Sequence, residues 1–96
     1  MYLIKYDKQA AKDIKNLKSA KLDDKAKSLI EILKRNPLEP PFEALVGNLS
    51  GLYSRRINIQ HRLVYEILNE EVIVGEEKYE GVVKIIRMWT HYDKVK

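Results

Sequence analysis

The sequence lacks cysteine and has little glycine or proline, with four glycines and three prolines in 96 residues. The absence of cysteine excludes a disulfide framework, a thiolate zinc site and a cysteine nucleophile. No stretch approaches the roughly 20 consecutive apolar residues that span a bilayer, and residues 1–9 carry charges where a signal peptide has an apolar run. We therefore expect a single domain over residues 1–96 that is cytoplasmic and makes no membrane contact.

Sequence motifs for metals, nucleotides and cofactors are also missing. There is no HExxH, GxxxxGK or GxGxxG pattern, and the two histidines, His61 and His91, lie 30 positions apart. Ser50 and Ser54 lack the strand–turn–helix context that exposes a hydrolase nucleophile. We therefore expect neither a cofactor nor a bound metal.

Basic residues are concentrated in the first third of the chain. Residues 1–36 hold 10 of the 18 lysines and arginines but only 5 of the 14 acidic residues. Lysines alternate there with apolar residues, as in helices whose outer face is wet and positive. Such a face is either a solubilising surface or a phosphate-binding one, and the charge pattern by itself slightly favours the first.

The order of the elements predicts an α+β domain. Residues 1–6 predict a short strand, followed by a helix from an N-cap at Asp7 to about Lys18 and by a second helix over residues 22–35 that Pro37 ends. Segments rich in β-branched and aromatic residues predict four further strands, at residues 53–58, 61–68, 71–74 and 82–89. We expect the N-terminal strand and helical hairpin to pack on one face of a mainly antiparallel, twisted sheet and to leave its other face open.

Two connections bear on function. The loop over residues 36–51 is too long to be only a link in so small a domain. Side chains alternate along strands, so a reversal at residues 58–60 with an odd number of unpaired residues places Arg56 and Arg62 on one face. Two guanidinium groups beside a loop carboxylate, Glu43, can hold a phosphodiester. Judged on these residues alone, exposed surface side chains without a function are the favoured interpretation.

A longer pattern runs through the second half of the chain. Its segments are residues 48–58 (NLSGLYSRRIN), 61–65 (HRLVY) and 89–92 (WTHY). In order and spacing they resemble the YoeB (Txe) branch of the RelE-like toxins of bacterial toxin–antitoxin modules. The similarity covers nearly the whole chain and implies the RelE-like, microbial ribonuclease-like fold, in which two helices pack on a twisted antiparallel sheet.

The resemblance also implies an activity and partners. Members of the family cleave mRNA in the ribosomal A site and are silenced by a cognate antitoxin. The chain is then expected to be a ribosome-dependent, metal-independent endoribonuclease that contacts mRNA and ribosomal RNA through its basic helices. A YefM-like antitoxin is its expected protein partner, and a homodimer is possible. The alternative is a basic module of the same fold that binds RNA or protein without cutting.

The resemblance also implies roles for individual residues. Glu43 matches the family's general base, Arg62 the arginine that stabilises the transition state, and His91 the general acid. Such a set suits RNA, because the ribose 2′-OH is itself the nucleophile and needs a base, an acid for the departing oxygen and cations for the phosphate charge. His61, beside the reversal, is expected to be structural.

The substrate-binding set is expected to comprise Arg55, Arg56 and Tyr92. Arg56 matches a second substrate-binding arginine of the family, and Tyr92 would position or stack the substrate. The sequence departs from well-known relatives at Ala44 and Val46, which stand where those relatives have proline and lysine. Without that lysine, neutralisation of the phosphate charge is expected to depend more on the arginines.

Overall fold

A computed structural model of the chain describes residues 1–90, so the predictions for His91 and Tyr92 lie outside the described residues. The helices and strands, in chain order, are β1 (Tyr2–Tyr6), α1 (Lys8–Ser19), α2 (Asp23–Arg35), β2 (Glu43–Ala44), β3 (Leu52–Arg56), β4 (Arg62–Leu68), β5 (Val72–Val74), β6 (Glu77–Tyr79) and β7 (Gly81–Thr90), with a short 3-10 helix (Gly47–Leu49) between β2 and β3. The predicted helical hairpin and strands are present within one or two residues of their expected ends.

The two helices form because each has one apolar stripe. Ala10 and Leu17 of α1 are buried, as are Ala26, Ile30 and Leu33 of α2, whose spacing of four and seven returns them to one side of the helix. These residues pack against the central strands in one core cluster. No helix within residues 1–90 is long and apolar enough to cross a membrane.

The main sheet has five strands in the order β1-β7-β4-β3-β2. Only β1 and β7 run parallel, while the other three pairings are antiparallel. The predicted α+β class and the mainly antiparallel sheet are therefore confirmed. β5 and β6 form a separate two-stranded sheet, and the sequence pattern did not predict β2 or β6, since strands of two and three residues have almost no periodicity to detect.

A buried ion pair fastens α1 to β7. Asp13, which is 1% exposed, accepts hydrogen bonds from Arg87 Nε at 2.9 Å and from the backbone N–H of Met88 at 3.0 Å. A buried carboxylate is tolerated because its lone pairs are satisfied in this way. The contact joins the first helix to the last strand, which ends at the candidate site.

Candidate active site

The pairing of β2, β3 and β4 brings the candidate side chains to one face. Arg56 of β3 lies directly opposite Arg62 of β4, and Glu43 of β2 lies opposite Ser54, two residues before Arg56. Directly opposed residues share a face of the sheet, and alternate residues return to it. The prediction that Arg56 and Arg62 share a face is confirmed, and Glu43 lies on the same face.

The reversal that aligns the arginines depends on Asn58. Its side-chain Oδ1 accepts hydrogen bonds from the backbone N–H groups of Gln60, at 2.9 Å, and His61, at 2.7 Å. The backbone N–H of Ile57 donates to the His61 carbonyl at 2.9 Å and closes the turn. Asparagine is favoured in such turns because its side chain bonds to the backbone two residues ahead.

A cleft of about 520 Å³ opens between α2 and the edge of the sheet at β2 and β3. Its charged lining comprises Lys25, Glu43, Arg55, Arg56 and Arg62, and its other lining residues are Leu29, Ile32, Pro41, Phe42 and Ser54. Four cations and one carboxylate give the lining a net charge of +3. A cleft lined by an excess of one sign concentrates oppositely charged ligands, and arginines bind phosphate oxygens in a bidentate manner.

Arg55 lies in this lining but points away from the face shared by Arg56 and Arg62. It is 3% exposed, and its Nη1 donates to the backbone carbonyl of Glu39 at 2.5 Å. Its Nε is buried and has no hydrogen-bond partner within residues 1–90. Its expected part in substrate binding stays a prediction, and its contact with Glu39 is one the sequence did not indicate.

Buried aromatic side chains hold the loop that carries Glu43. The hydroxyl of Tyr65, a fully buried residue, donates to the Pro37 carbonyl at 2.6 Å. The Tyr65 ring stacks on Tyr53 at 5.7 Å between centroids, and Phe42 meets Tyr53 edge-on at 5.8 Å. Burial raises the pKa of Tyr65, and the neighbouring Arg55 guanidinium opposes that rise. The part of the loop that leads to Glu43 is thus held at Pro37 and at Phe42, as expected of a loop that positions a side chain.

The far end of the site is formed where β4 meets β7. Thr90 pairs with Arg62 in the sheet register, so β7 delivers the chain beside that arginine. His61 stacks on Trp89 with ring centroids 3.8 Å apart and planes 15° from parallel. This packing agrees with the structural function expected of His61.

Part of the cleft wall was not predicted from the sequence. Lys25, Leu29 and Ile32 of α2 border the cleft, and Leu29 also packs against the core cluster. Their spacing of four and seven residues marks one side of the helix, but only the position of α2 beside the β2 edge reveals that this side faces the cleft. Within residues 1–90 no group of three or more histidine, aspartate or glutamate side chains could hold a metal ion.

Solved structures of other proteins share this architecture. A YoeB dimer from Staphylococcus aureus is 34% identical, with a TM-score of 0.70 over 95% of this chain and 98% of that one. A heterotetrameric YoeB–YefM toxin–antitoxin complex from the same species gives 33% identity and a TM-score of 0.68 over 96% of this chain and 99% of that one. Helices on one face of the sheet and an arginine-lined cleft thus define the class as the small RelE-like toxins.

Sequence comparisons lead to the family. A family model described as YoeB-like toxin of bacterial type II toxin-antitoxin system matches residues 6–92. Toxin YoeB of Synechocystis is 45% identical over 49 residues, a match that spans 48% of this chain and 56% of that protein. The chain belongs to the YoeB-like toxins of bacterial type II toxin–antitoxin systems.

Proposed function

We propose that the chain is a ribosome-dependent endoribonuclease that cuts mRNA in the ribosomal A site. The observation that carries this proposal is the convergence of Glu43, Arg56 and Arg62 on one face of the cleft. A carboxylate among cations provides a proton acceptor within a site for a phosphodiester. Membership of the toxin family agrees with such an activity.

The proposed reaction uses the nucleophile that RNA carries. Glu43 takes the proton of the ribose 2′-OH as its oxygen attacks the adjacent phosphorus. The bond from phosphorus to the 5′ oxygen breaks, and His91 donates a proton to that leaving oxygen. The products are a 2′,3′-cyclic phosphate and a 5′-hydroxyl. In this scheme side chains supply both proton transfers and the charge neutralisation, so no metal takes part.

Three arginines together neutralise the negative charge of the phosphate in this proposal. Arg62, which is half-buried, stabilises the negative charge that develops on the phosphate oxygens in the transition state. Arg56, exposed and directly opposite, holds the same phosphate from the neighbouring strand. Arg55 contributes its charge to the lining and keeps the Glu43 loop in place through the Glu39 carbonyl.

The general acid is proposed from its place in the chain. His91 follows Thr90, the residue that pairs with Arg62. Tyr92 is the next residue and is proposed to stack on a base or orient it.

The proposed partners follow from the charge of the helices and from the solved structures of relatives. The lysine-rich outer faces of α1 and α2 are suited to ribosomal RNA and mRNA, since clustered cations provide sequence-independent affinity for phosphates. The Staphylococcus aureus relative was solved with YefM and as a dimer, and we propose a YefM-like antitoxin and a possible homodimer for this chain. The proposed site of action is the cytoplasm.

Expression of the chain in bacteria tests the proposal. The intact protein is expected to arrest growth, while Glu43→Gln and His91→Ala are expected to relieve the arrest without loss of fold or RNA affinity. Glu39→Gln is the matched control, because that carboxylate lies on the same loop but does not line the cleft, and it should remain toxic. Harmless intact protein, or equal toxicity of all variants, would favour the non-catalytic RNA- or protein-binding module.

A further inference from the structure

The cleft is larger and more positive than one phosphodiester requires. Its lining has a net charge of +3 in a volume of about 520 Å³, whereas a single phosphodiester carries one negative charge. Arg56 and Arg62 oppose each other on β3 and β4. Lys25 adds a cation to the lining from α2. A second phosphate therefore has both space and a charge to meet it.

Lys25 keeps its charge available because no acidic residue lies three or four positions from it on the helix. Positions three and four residues away on either side of it are Lys21, Leu22, Ser28 and Leu29, and helical side chains interact at those spacings. No ion pair involves Lys25 within residues 1–90, whereas Lys34 on the same helix binds Glu31 at 3.1 Å. Lys25 is thus exposed, lines the cleft and forms no ion pair within residues 1–90.

The wall beside Lys25 is apolar. Leu29 and Ile32 follow Lys25 at four and seven positions and are half-buried, and Phe42 completes the wall from the loop. Phe42 is held edge-on by Tyr53 at 5.8 Å, so its orientation is fixed. An aromatic and aliphatic surface next to a cation matches a nucleotide, whose base packs on apolar groups while its phosphate binds the charge.

Within residues 1–90, no other basic residue of α2 or of the loop that carries Glu43 lines the cleft. Between Arg35 and Arg55 the chain has no lysine or arginine, so the loop that carries Glu43 brings no cation of its own. On the wall formed by α2 and this loop, Lys25 is therefore the cation of the lining.

Given the nuclease function proposed above, we propose that the α2 wall is a flanking nucleotide subsite. In it Lys25 binds the phosphate next to the scissile one, and Leu29, Ile32 and Phe42 hold the attached base. The subsite makes the protein favour oligonucleotides with at least two phosphates over a dinucleotide.

Binding of uncleavable ligands to the purified protein tests the subsite. The probes are a 2′-O-methyl dinucleotide with one phosphate and a 2′-O-methyl trinucleotide with two, and their affinities are measured by NMR titration. Lys25→Met is expected to weaken trinucleotide binding by about tenfold and to lower the slope of log affinity against log salt by about one. This tenfold loss is on the scale of one lost charged contact. The affinity for the dinucleotide, which lacks the second phosphate, should change by less than about twofold.

Lys5→Met is the matched control. Lys5 is exposed on β1, outside the cleft lining and outside the lysine-rich faces of α1 and α2, and its replacement should change neither affinity. The subsite is overturned if the Lys25 and Lys5 variants behave alike. It is also overturned if Lys25→Met weakens the dinucleotide as much as the trinucleotide, or if the intact protein binds neither probe.

Failure of the subsite and failure of the nuclease are distinguishable. The probes lack a free 2′-OH, so their binding does not depend on cleavage. A protein that cuts mRNA but is insensitive to Lys25→Met for the trinucleotide overturns the subsite alone. A protein with the expected binding pattern that never cuts mRNA retains the subsite and overturns the nuclease.

Discussion

Arg56 and Arg62 lie directly opposite one another on adjacent antiparallel strands and line the same cleft. Like charges at directly opposed positions destabilise a sheet. An arrangement that concentrates positive charge is suited to binding an anion, and like charges at opposed positions give opposite expectations for stability and activity.

Replacing one arginine of this pair should stabilise the fold while it impairs the activity. Arg56→Thr introduces a residue favoured in strands and removes the repulsion, so the unfolding free energy in low salt should rise by about 0.5 kcal/mol. The gain should shrink in high salt, which screens exposed charges. Urea unfolding measures the stability, and mRNA cleavage should fall about tenfold. Arg56→Lys keeps the charge and is the control, so its unfolding free energy should not rise. An Arg56→Thr protein that is less stable than the intact protein in low salt would contradict the repulsion.

Arg55 should act on the loop that carries Glu43. Arg55→Lys keeps the charge but shortens the side chain, so the hydrogen bond to the Glu39 carbonyl is expected to be lost. Amide hydrogen exchange in residues 38–43 should speed up, and the cleavage rate should fall with it. Arg56→Lys, which makes no contact with this loop's carbonyl, should leave exchange in the loop unchanged. Unaltered exchange in Arg55→Lys would disprove the anchoring.

The buried hydroxyl of Tyr65 should make stability depend on pH in the alkaline range. Tyr65→Phe removes the hydrogen bond to Pro37 and should lower the unfolding free energy by about 1 kcal/mol at pH 7. Burial raises the pKa of Tyr65 above its ordinary value of 10.0. The native state therefore retains the proton longer than the unfolded state, and its stability falls as the pH rises above that value.

The difference in unfolding free energy between the intact protein and Tyr65→Phe should consequently be constant below pH 9 and become smaller above about pH 10. Denaturant unfolding at a series of pH values measures it. Comparison of the two proteins cancels the titration of the lysines, which both retain. A difference that widens with pH above 10 has the opposite sign and rules out the raised pKa.

The ion pair between Asp13 and Arg87 should couple α1 to β7. Asp13→Asn is expected to lower the unfolding free energy by about 2 kcal/mol, because it weakens a charged hydrogen bond at a buried site while Arg87 is partly solvated. A double-mutant cycle with Arg87→Met isolates the pairwise energy. Additive effects of the two substitutions would show that the pair contributes nothing as a pair.

The sequence predicted what depends on periodicity. Helices α1 and α2 follow from apolar residues at spacings of three and four, and the shared face of Arg56 and Arg62 follows from alternation along two strands around a three-residue reversal. The resemblance to the family was found from the order of the NLSGLYSRRIN, HRLVY and WTHY segments. These are properties that neighbouring residues encode locally.

Features that depend on how elements meet could not be predicted. Asp13 is a polar residue within a wet, charged stretch, and only the packing of α1 on β7 buries it beside Arg87. Strand alternation separates Arg55 from Arg56, but the contact of Arg55 with the Glu39 carbonyl, which accompanies its burial, could not be read from the pattern. Lys25 is one lysine among many, and it becomes a candidate for substrate binding only because α2 borders the β2 edge. The functions expected of His91 and Tyr92 stay predictions.

The chemistry of the cut ends tests the nuclease proposal most directly. Purified protein is added to ribosomes translating a defined mRNA, the cut is mapped by primer extension, and the new ends are identified by mass spectrometry. The proposed attack by the 2′-OH, with Glu43 as base and His91 as acid, predicts one cut within the A-site codon that leaves a 2′,3′-cyclic phosphate and a 5′-hydroxyl. Ends that carry a 3′-hydroxyl and a 5′-phosphate, or mRNA left whole, would contradict it.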